Sequence, residues 1–369
     1  MSKQEIKVVL GIGFGDEGKG NTVQWLCKEA LLKNKTVAVV RFSGGPQAAH
    51  RIVNNGIEHI CSSYGSGSLL NIPTYWVNAN NTFIDPIAMM QERYTLLQKE
   101  IALYPQLAMN LDNVRWITPY DVLANQLNEK ALKDGTCGKG IITTFKRYAE
   151  IQKSHPNFNN LNPNELLEFS RNYWYLEKDD YLERRFIQSF YELLSHQTNV
   201  PLLSYDVLIY EGSQGLLLDQ DSVFYPNVTP SQVGLQTLDI NNAEIYLCSR
   251  VYLTRHGNGY VPKGGDLINH IINIEDVCNP ENKFQGAMKY GLLDTSLFKL
   301  ALKNISVSTN LVLTHCDTIK GKMIPYIWND KLCLSSLSKF TARIKKEFRF
   351  NKIFESYSDD SSKYITIEN

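Results

Sequence analysis

Long apolar runs are missing from this sequence: no stretch of its 369 residues reaches the roughly 18 needed to cross a membrane. The run before the first glycines in MSKQEIKVVLGIGFG is too short for a signal peptide, which sets the expectation of a cytoplasmic protein. A surplus of either charge is missing too. Lys plus Arg number 38 and Asp plus Glu 38, so the overall balance gives no pull towards nucleic acid or an acidic membrane, and neither is expected as a partner. There is no C-x-x-C pair, and the seven cysteines are scattered and odd in number, which suggests neither a zinc site nor a disulfide framework. Internal repeats, low-complexity tracts and linker-like charge runs are also lacking. One elaborated domain over residues 1–369 is therefore expected, and the 43% hydrophobic content is ample for its core.

What is present is a series of apolar strand signals, each emptying into a polar or glycine-rich turn. They run over Lys7 to Leu10, Thr36 to Phe42 before SGGPQAAHR, Val207 to Tyr210 before EGSQG, Ile245 to Thr254 before RHGNG, and Leu311 to Thr314 before HCD. Helical spacing follows Gly20, and the stretch from Asn162 to His196 reads as a helical insertion with Asn and Pro at its start. The pattern predicts an α/β fold with a mostly parallel central sheet, whose ligands sit at the carboxyl ends of the strands.

The first of these turns is unusual. In VVLGIGFGDEGKGNTVQWL, Gly13 and Gly18 lie five apart and Lys19 follows, as in G-x-x-x-x-G-K-[ST], but Gly20 stands where the magnesium-holding hydroxyl belongs. Such a P-loop-like turn can hold phosphates through backbone N–H groups and the helix dipole, with Lys19 adding a point charge. The same spacing also suits a tight strand-to-helix turn with solvated charges. A loop carboxylate such as Asp16 repels phosphates unless it ligates a divalent cation or takes a proton from a substrate.

GFGDEGKG followed by VVRFSGGPQAAHRIVNNG resembles the opening of the adenylosuccinate synthetases, which show G-D-E-G-K-G and then G-G-x-N-A-G-H-T. Further segments agree in order. DGTCGKGI matches that family's G-T-T-G-R-G-I, YEGSQGLLLDQDSVFYPNVTPS matches E-G-A-Q-G-x-x-L-D and Y-P-x-V-T-S-S, YLTRHGNGYVP resembles T-R-V-G-x-G-P-F-P, and LVLTHCD resembles the T-K-L-D guanine site. SYSDDSSKYITI follows the closing segment loosely, so the resemblance spans nearly the whole chain.

The resemblance implies a GTP-dependent, Mg²⁺-requiring ligase that joins IMP to aspartate through a 6-phosphoryl intermediate, working as a homodimer. Asp16 would abstract the purine N1 proton and ligate Mg²⁺ together with the Ala49 backbone, and His50 would act as general acid as the γ-phosphoryl group moves. GTP would be held by Gly15, Glu17, Gly18, Lys19, Gly20, His315, Asp317, Ser356 and Ser358. The nucleotide substrate would meet Gln47, Thr136, Cys137, Gln214 and Thr229.

The chain also departs from the family pattern. Gln47 replaces Asn, Ala49 replaces Gly, Arg51 replaces Thr and Cys137 replaces a phosphate-contacting Thr, while His315 stands for the lysine of T-K-L-D. The arginine that reaches the neighbouring subunit's nucleotide has no counterpart in register, Arg147 being nearby but shifted. FQGAMKYGLLD stands where the family's aspartate-binding loop carries several arginines; its one cation is Lys289, with Arg51, Arg255 and Lys263 as candidates from adjacent loops. Two other functions stay open: the same chemistry on another purine (deoxy)nucleotide or amino acceptor, and a nucleotide-binding sensor without turnover.

Overall fold

The computed structural model describes residues 4–77, 81–101, 107–109, 114–154, 162–197, 200–240, 242–262, 264, 267–269, 272–273, 279, 281–305, 307–321, 323–361 and 364–367. Its centre is the strand Glu5–Gly11, where side chains alternate between two buried faces. Val8 and Leu10 enter the cluster that holds Leu247, Leu313 and Phe340, and Val9 enters the one that holds Val23, Cys27 and Ile209. A strand buried on both faces needs a continuous apolar run rather than an alternating one. That is how the first strands read in the sequence.

The sheet has nine strands in the spatial order Tyr364–Ile367, Ile353–Ser356, Thr309–Thr314, Glu244–Arg250, Glu5–Gly11, Val207–Gly215, Val37–Arg41, Thr74–Trp76 and Leu107–Met109. Every neighbouring pair is parallel except the outer one formed by Ile353–Ser356 and Tyr364–Ile367. The carboxyl ends of the parallel strands therefore lie along one edge, and the motif loops after Gly11, Arg41, Gly215, Arg250 and Thr314 all leave from it. The fold is α/β with a mostly parallel sheet, as expected.

Two expectations need correction. The run from Ile245 to Thr254 is not one strand: Glu244–Arg250 belongs to the large sheet, whereas Leu253–Arg255 pairs antiparallel with Lys289–Gly291. The helical region is also wider than the stretch from Asn162 to His196, since helices Pro119–Leu127, Glu129–Asp134 and Ile141–Ser154 precede it. Within the expected stretch lie two helices, Pro163–Tyr173 and Asp180–Ser195. The first begins with Asn162 and Glu165 capping each other's backbone N–H groups and Pro163 in its first turn, the arrangement the sequence signals. The apolar faces of these two helices close over Trp76, Met89 and Trp116 as a second core.

Buried Glu92, on helix Pro86–Gln98, accepts hydrogen bonds from the backbone of Ser62, Ser63 and Tyr64 and so ties that helix to the turn after hairpin strand Ile57–Cys61. The described cysteines are free, four of them buried as small core residues; Cys278 lies outside the described residues. Among the described residues no helix is long and apolar enough to cross a membrane.

Candidate active site

The acidic loop splits its two carboxylates between inside and outside. Glu17 is buried and accepts from Gly13 N and Gly15 N at 2.9 Å each and from Lys19 Nζ at 2.8 Å. Glycines make the room for it. A β-carbon at Gly11 would lie 2.2 Å from the Glu17 carboxylate, and one at Gly215 would lie 2.6 Å from it. The resemblance places Glu17 among the GTP contacts; its carboxylate braces the loop from within and holds Lys19 beside it, which leaves the backbone for that contact.

Helix Lys19–Leu32 starts from Gly18, in a left-handed conformation with φ 76°, and has neither a side-chain cap nor an acid in its first turn. Helices beginning at Pro86, Pro119, Pro163, Asp180, Thr295 and Leu337 all have side-chain caps, from Asp85, Thr118, Asn162, Asp179, Asp294 and Ser336. The first helix alone in this set leaves its leading N–H groups to an outside acceptor, and the dipole there favours an anion.

Asp16 turns the other way, with φ 56°, and its side chain is about a quarter exposed. The loop that follows Glu244–Arg250 holds it in place. Arg250 donates from Nε to the Asp16 carbonyl, Thr254 Oγ1 donates to the Gly15 carbonyl at 2.9 Å, and His256 Nε2 lies 2.8 Å from Asp16 Oδ2. Burial would raise the Asp16 pKa, but the His256 hydrogen bond and the nearby charges of His256, Arg250 and Lys19 outweigh it and hold the carboxyl at about 2. It is an anion at any physiological pH.

His50 begins the hairpin strand His50–Asn54, which packs against the helix start so closely that a β-carbon on Gly20 would lie 2.8 Å from the His50 β-carbon. Its Nδ1 is 2.5 Å from Glu211 Oε1, and Glu211, fully buried, also accepts from Ser66 N at 2.9 Å and Ser66 Oγ at 2.5 Å. Burial opposes the Glu211 charge, but the bond to His50, with Arg41 and Ser66 adding to it, holds Glu211 at about 2. Burial pulls the His50 imidazole below its usual range in spite of that anion. The ring is thus neutral near pH 7, donating from Nδ1 to Glu211, and its buried Nε2 has no partner among the described residues. Three residues earlier in the chain, both amide atoms of Gln47 are likewise buried without a partner among the described residues. Buried unsatisfied polar atoms are what a polar ligand would complete.

The remaining predicted residues surround this centre. His315, in a left-handed conformation with φ 59°, bonds Thr314 Oγ1 through Nδ1 at 2.9 Å and stands edge-on to Tyr252; burial keeps it neutral. Asp317, two residues on, is exposed overall, but partial desolvation of its carboxyl raises its pKa. Ser356 donates to the Ser358 carbonyl at 3.2 Å, and the same carbonyl accepts from Asn21 on the first helix at 3.1 Å, so the closing segment lies against the helix start. Ala49 is exposed beside His50.

Thr136 Oγ1 accepts from Asn125 at 3.0 Å, and Cys137 is half-buried against Phe83, Ile117 and Ile141. Gly135 packs on Gly257, which brings their two loops together. Gln214 is half-buried at the end of its strand, and Thr229 faces Ser231 Oγ at 3.3 Å.

The expected amino-acid cations fare differently. Arg255 is buried, stacked on Phe14 with its guanidinium 4.3 Å from the ring centroid, and donates to the carbonyls of Tyr260 and Asn227 at 3.0 and 2.5 Å. It ties loops together rather than pointing at a substrate. Arg51 pairs with Asp359 and Glu58. Lys289 is exposed, and Lys263 lies outside the described residues. Arg147 is fully buried in a two-pronged bond to Asp121 at 2.8 and 2.7 Å, so it does not reach another subunit. Sequence reasoning missed Glu211, Ser66, Arg250 and His256. Of these Glu211 left a signal, a carboxylate directly after the apolar run Val207 to Tyr210 in the same strand.

The family model for adenylosuccinate synthetase matches residues 8–329. An adenylosuccinate synthetase of Clostridium beijerinckii is 27% identical over 96% of this chain and 88% of its own length. That of Porphyromonas gingivalis is 29% identical over 70% of this chain, and the matched region is 66% of that protein. Among solved structures, a fully ligated adenylosuccinate synthetase from Plasmodium falciparum superposes with a TM-score of 0.73 at 18% identity, covering 99% of this chain and 100% of that one. A cyanophage S-2L succinoaminodeoxyadenylate synthetase bound to dGMP and dATP gives 0.61 at 14% identity, covering 99% and 96%. A family match over residues 8–329, most of the chain, places it in the adenylosuccinate synthetase family.

Proposed function

We propose that this protein is a GTP-dependent ligase that phosphorylates the 6-oxygen of a purine nucleoside monophosphate, IMP foremost, and displaces the phosphate with an amino acid, aspartate being the family's acceptor. The observation that carries the reading is a permanently ionised carboxylate, Asp16, beside an uncapped helix N-terminus. Without a bound cation an anion there only repels phosphates, whereas an acceptor that must lose a proton needs one.

Asp16 accepts the N1–H of the purine. Its low basicity is no obstacle, because that proton becomes acidic as O6 bonds to phosphorus. Backbone N–H groups at the helix start, with Lys19, hold the donor phosphates. Those phosphates bring negative charge beside the neutral His50 ring and raise its affinity for a proton, so Nε2 becomes a donor to the transferring group while Glu211 balances the imidazolium. The unpartnered amide of Gln47 supplies hydrogen bonds to the nucleotide. The donor set also suits a hard divalent cation: the ionised Asp16 carboxylate and the Ala49 carbonyl would hold Mg²⁺, which when bound neutralises charge on the phosphates. The family's homodimer is proposed for this chain as well.

The test is phosphate release from GTP by the purified protein with Mg²⁺, against a panel of purine monophosphates and amino acids. The cyanophage relative's ligand puts dGMP on that panel. Release should require both a nucleotide and an amino acid. Background release from every combination would overturn the ligase and favour a sensor.

A further inference from the structure

We propose that His256 positions the Asp16 carboxylate for proton abstraction. The role rests on the ligase reading above, and it comes from a residue that the family motif does not supply, since T-R-H-G stands here for T-R-V-G. Valine has no hydrogen to donate. The two backbone contacts on the acidic loop, Arg250 to the Asp16 carbonyl and Thr254 to the Gly15 carbonyl, fix the main chain in a left-handed conformation that is uncommon for a non-glycine residue. They leave the carboxylate free to rotate. His256 removes that freedom by engaging Oδ2 at 2.8 Å, so that Oδ1 is the oxygen presented for reaction.

The ring's proton can be placed from its neighbours. Nε2 faces Asp16 Oδ2 and, at 3.2 Å, Asn279 Oδ1; both are acceptors, so Nε2 carries the hydrogen. The clamp also joins two loops. Gly257, next to His256, packs on Gly135 in the loop that carries Thr136 and Cys137, so closing that loop on a nucleotide and aiming the base are coupled through one residue.

The full-length variants His256→Leu, His256→Val and His256→Gln provide the test. A base displaced by about 1 Å loses on the order of 10²-fold in rate. Leu and Val should therefore lower kcat by roughly 10- to 10²-fold while the KM for the nucleotide stays within about threefold. Gln, which can donate from nearly the same place as Nε2, should recover most of the loss. Unchanged kcat in Leu, equal effects on kcat and KM, or Gln no better than Leu at a parental melting temperature would each overturn the role.

A second measurement does not depend on turnover. Long-range ¹H–¹⁵N correlation spectra of the imidazole rings should show His256 protonated at Nε2, with its ring shifts altered by Asp16→Ala. A ring protonated at Nδ1, or one indifferent to Asp16→Ala, would overturn the pairing. If the parent turns over no substrate, the ligase reading falls, and the ring spectra alone then decide whether the clamp exists.

Discussion

A β-carbon on Gly20 would meet the His50 β-carbon at 2.8 Å, Ser66 Oγ at 3.1 Å and the Arg51 carbonyl at 3.2 Å. That crowding explains why the loop departs from the usual G-K-[ST] ending: the hairpin carrying His50 occupies the space of the hydroxyl. Gly20→Ser, which would restore the common motif, should destabilise the protein by about 1–3 kcal/mol through overpacking. It should also lower turnover more than GTP affinity, because the displaced group is His50 rather than the helix amides. Urea melts and calorimetric GTP titrations check this, and a serine variant as stable and active as the parent would refute the packing argument. Asp16→Asn makes the complementary case. The glycines and the Glu17 brace remain, so the fold should persist while turnover falls by about 10²-fold or more, the scale of a lost general base. Turnover within about threefold of the parent would show that another group takes the proton.

At the scale of elements, Asp85 shows a cost built into a helix start. It caps Pro86–Gln98 by accepting from Ala88 N at 3.1 Å, yet burial pushes its carboxyl up to about 6 despite the Ala88 and Ile87 amides. A carboxyl raised in the folded state binds a proton more tightly there than in the unfolded chain, so stability is lost as pH rises from about 3.8 through about 6. Asp85→Asn keeps the cap and removes the charge. It should raise stability at pH 7.5 by roughly 3 kcal/mol and have little effect near pH 4. Denaturant melts at the two pH values decide, and an equal effect at both would mean the cap, not the charge, dominates.

Elements were legible where local chemistry settles them. The apolar runs at Val8 to Leu10 and Leu311 to Leu313 mark strands buried on both faces, and Asn162-Pro163 with Glu165 marks a helix start. The three-residue strands Thr74–Trp76 and Leu107–Met109 left no such mark, because their pairing comes from the neighbouring strand. The break after Arg250 was hidden for the opposite reason. Val251, Tyr252 and Leu253 continue the apolar run, and only tertiary packing turns them out of the sheet. The site shows the same division: its loops read clearly as motifs, but His50 with Glu211, 161 residues apart, and Asp16 with His256 meet only through the sheet order.

Over the whole molecule, the groups proposed for the phosphates are gathered more completely than those proposed for the amino acid. The uncapped helix, Lys19, the Asp16 carboxylate and the His50–Glu211 pair come together at one sheet edge, whereas the cations available for a dicarboxylic acid are scattered. Arg255 already donates to two carbonyls, Arg51 is paired with Asp359 and Glu58, and Lys289 is exposed on a surface strand. A dicarboxylate held out of water needs each carboxylate matched, which the planar fork of arginine does best. A lysine offers a point charge, and it loses strength where solvent reaches it. Aspartate should therefore be a poor acceptor, with an apparent KM above the roughly 1 mM usual as an upper limit for enzymes. The phosphoryl half-reaction, followed by scrambling of ¹⁸O from the β,γ-bridge of GTP in the presence of nucleotide alone, should be better preserved than the condensation. Saturation by aspartate at sub-millimolar concentration would refute this and would mean that cations from outside this set, Lys263 among them, assemble around the substrate. If scrambling and condensation proved equally slow, the weakness would instead lie in the nucleotide half of the site.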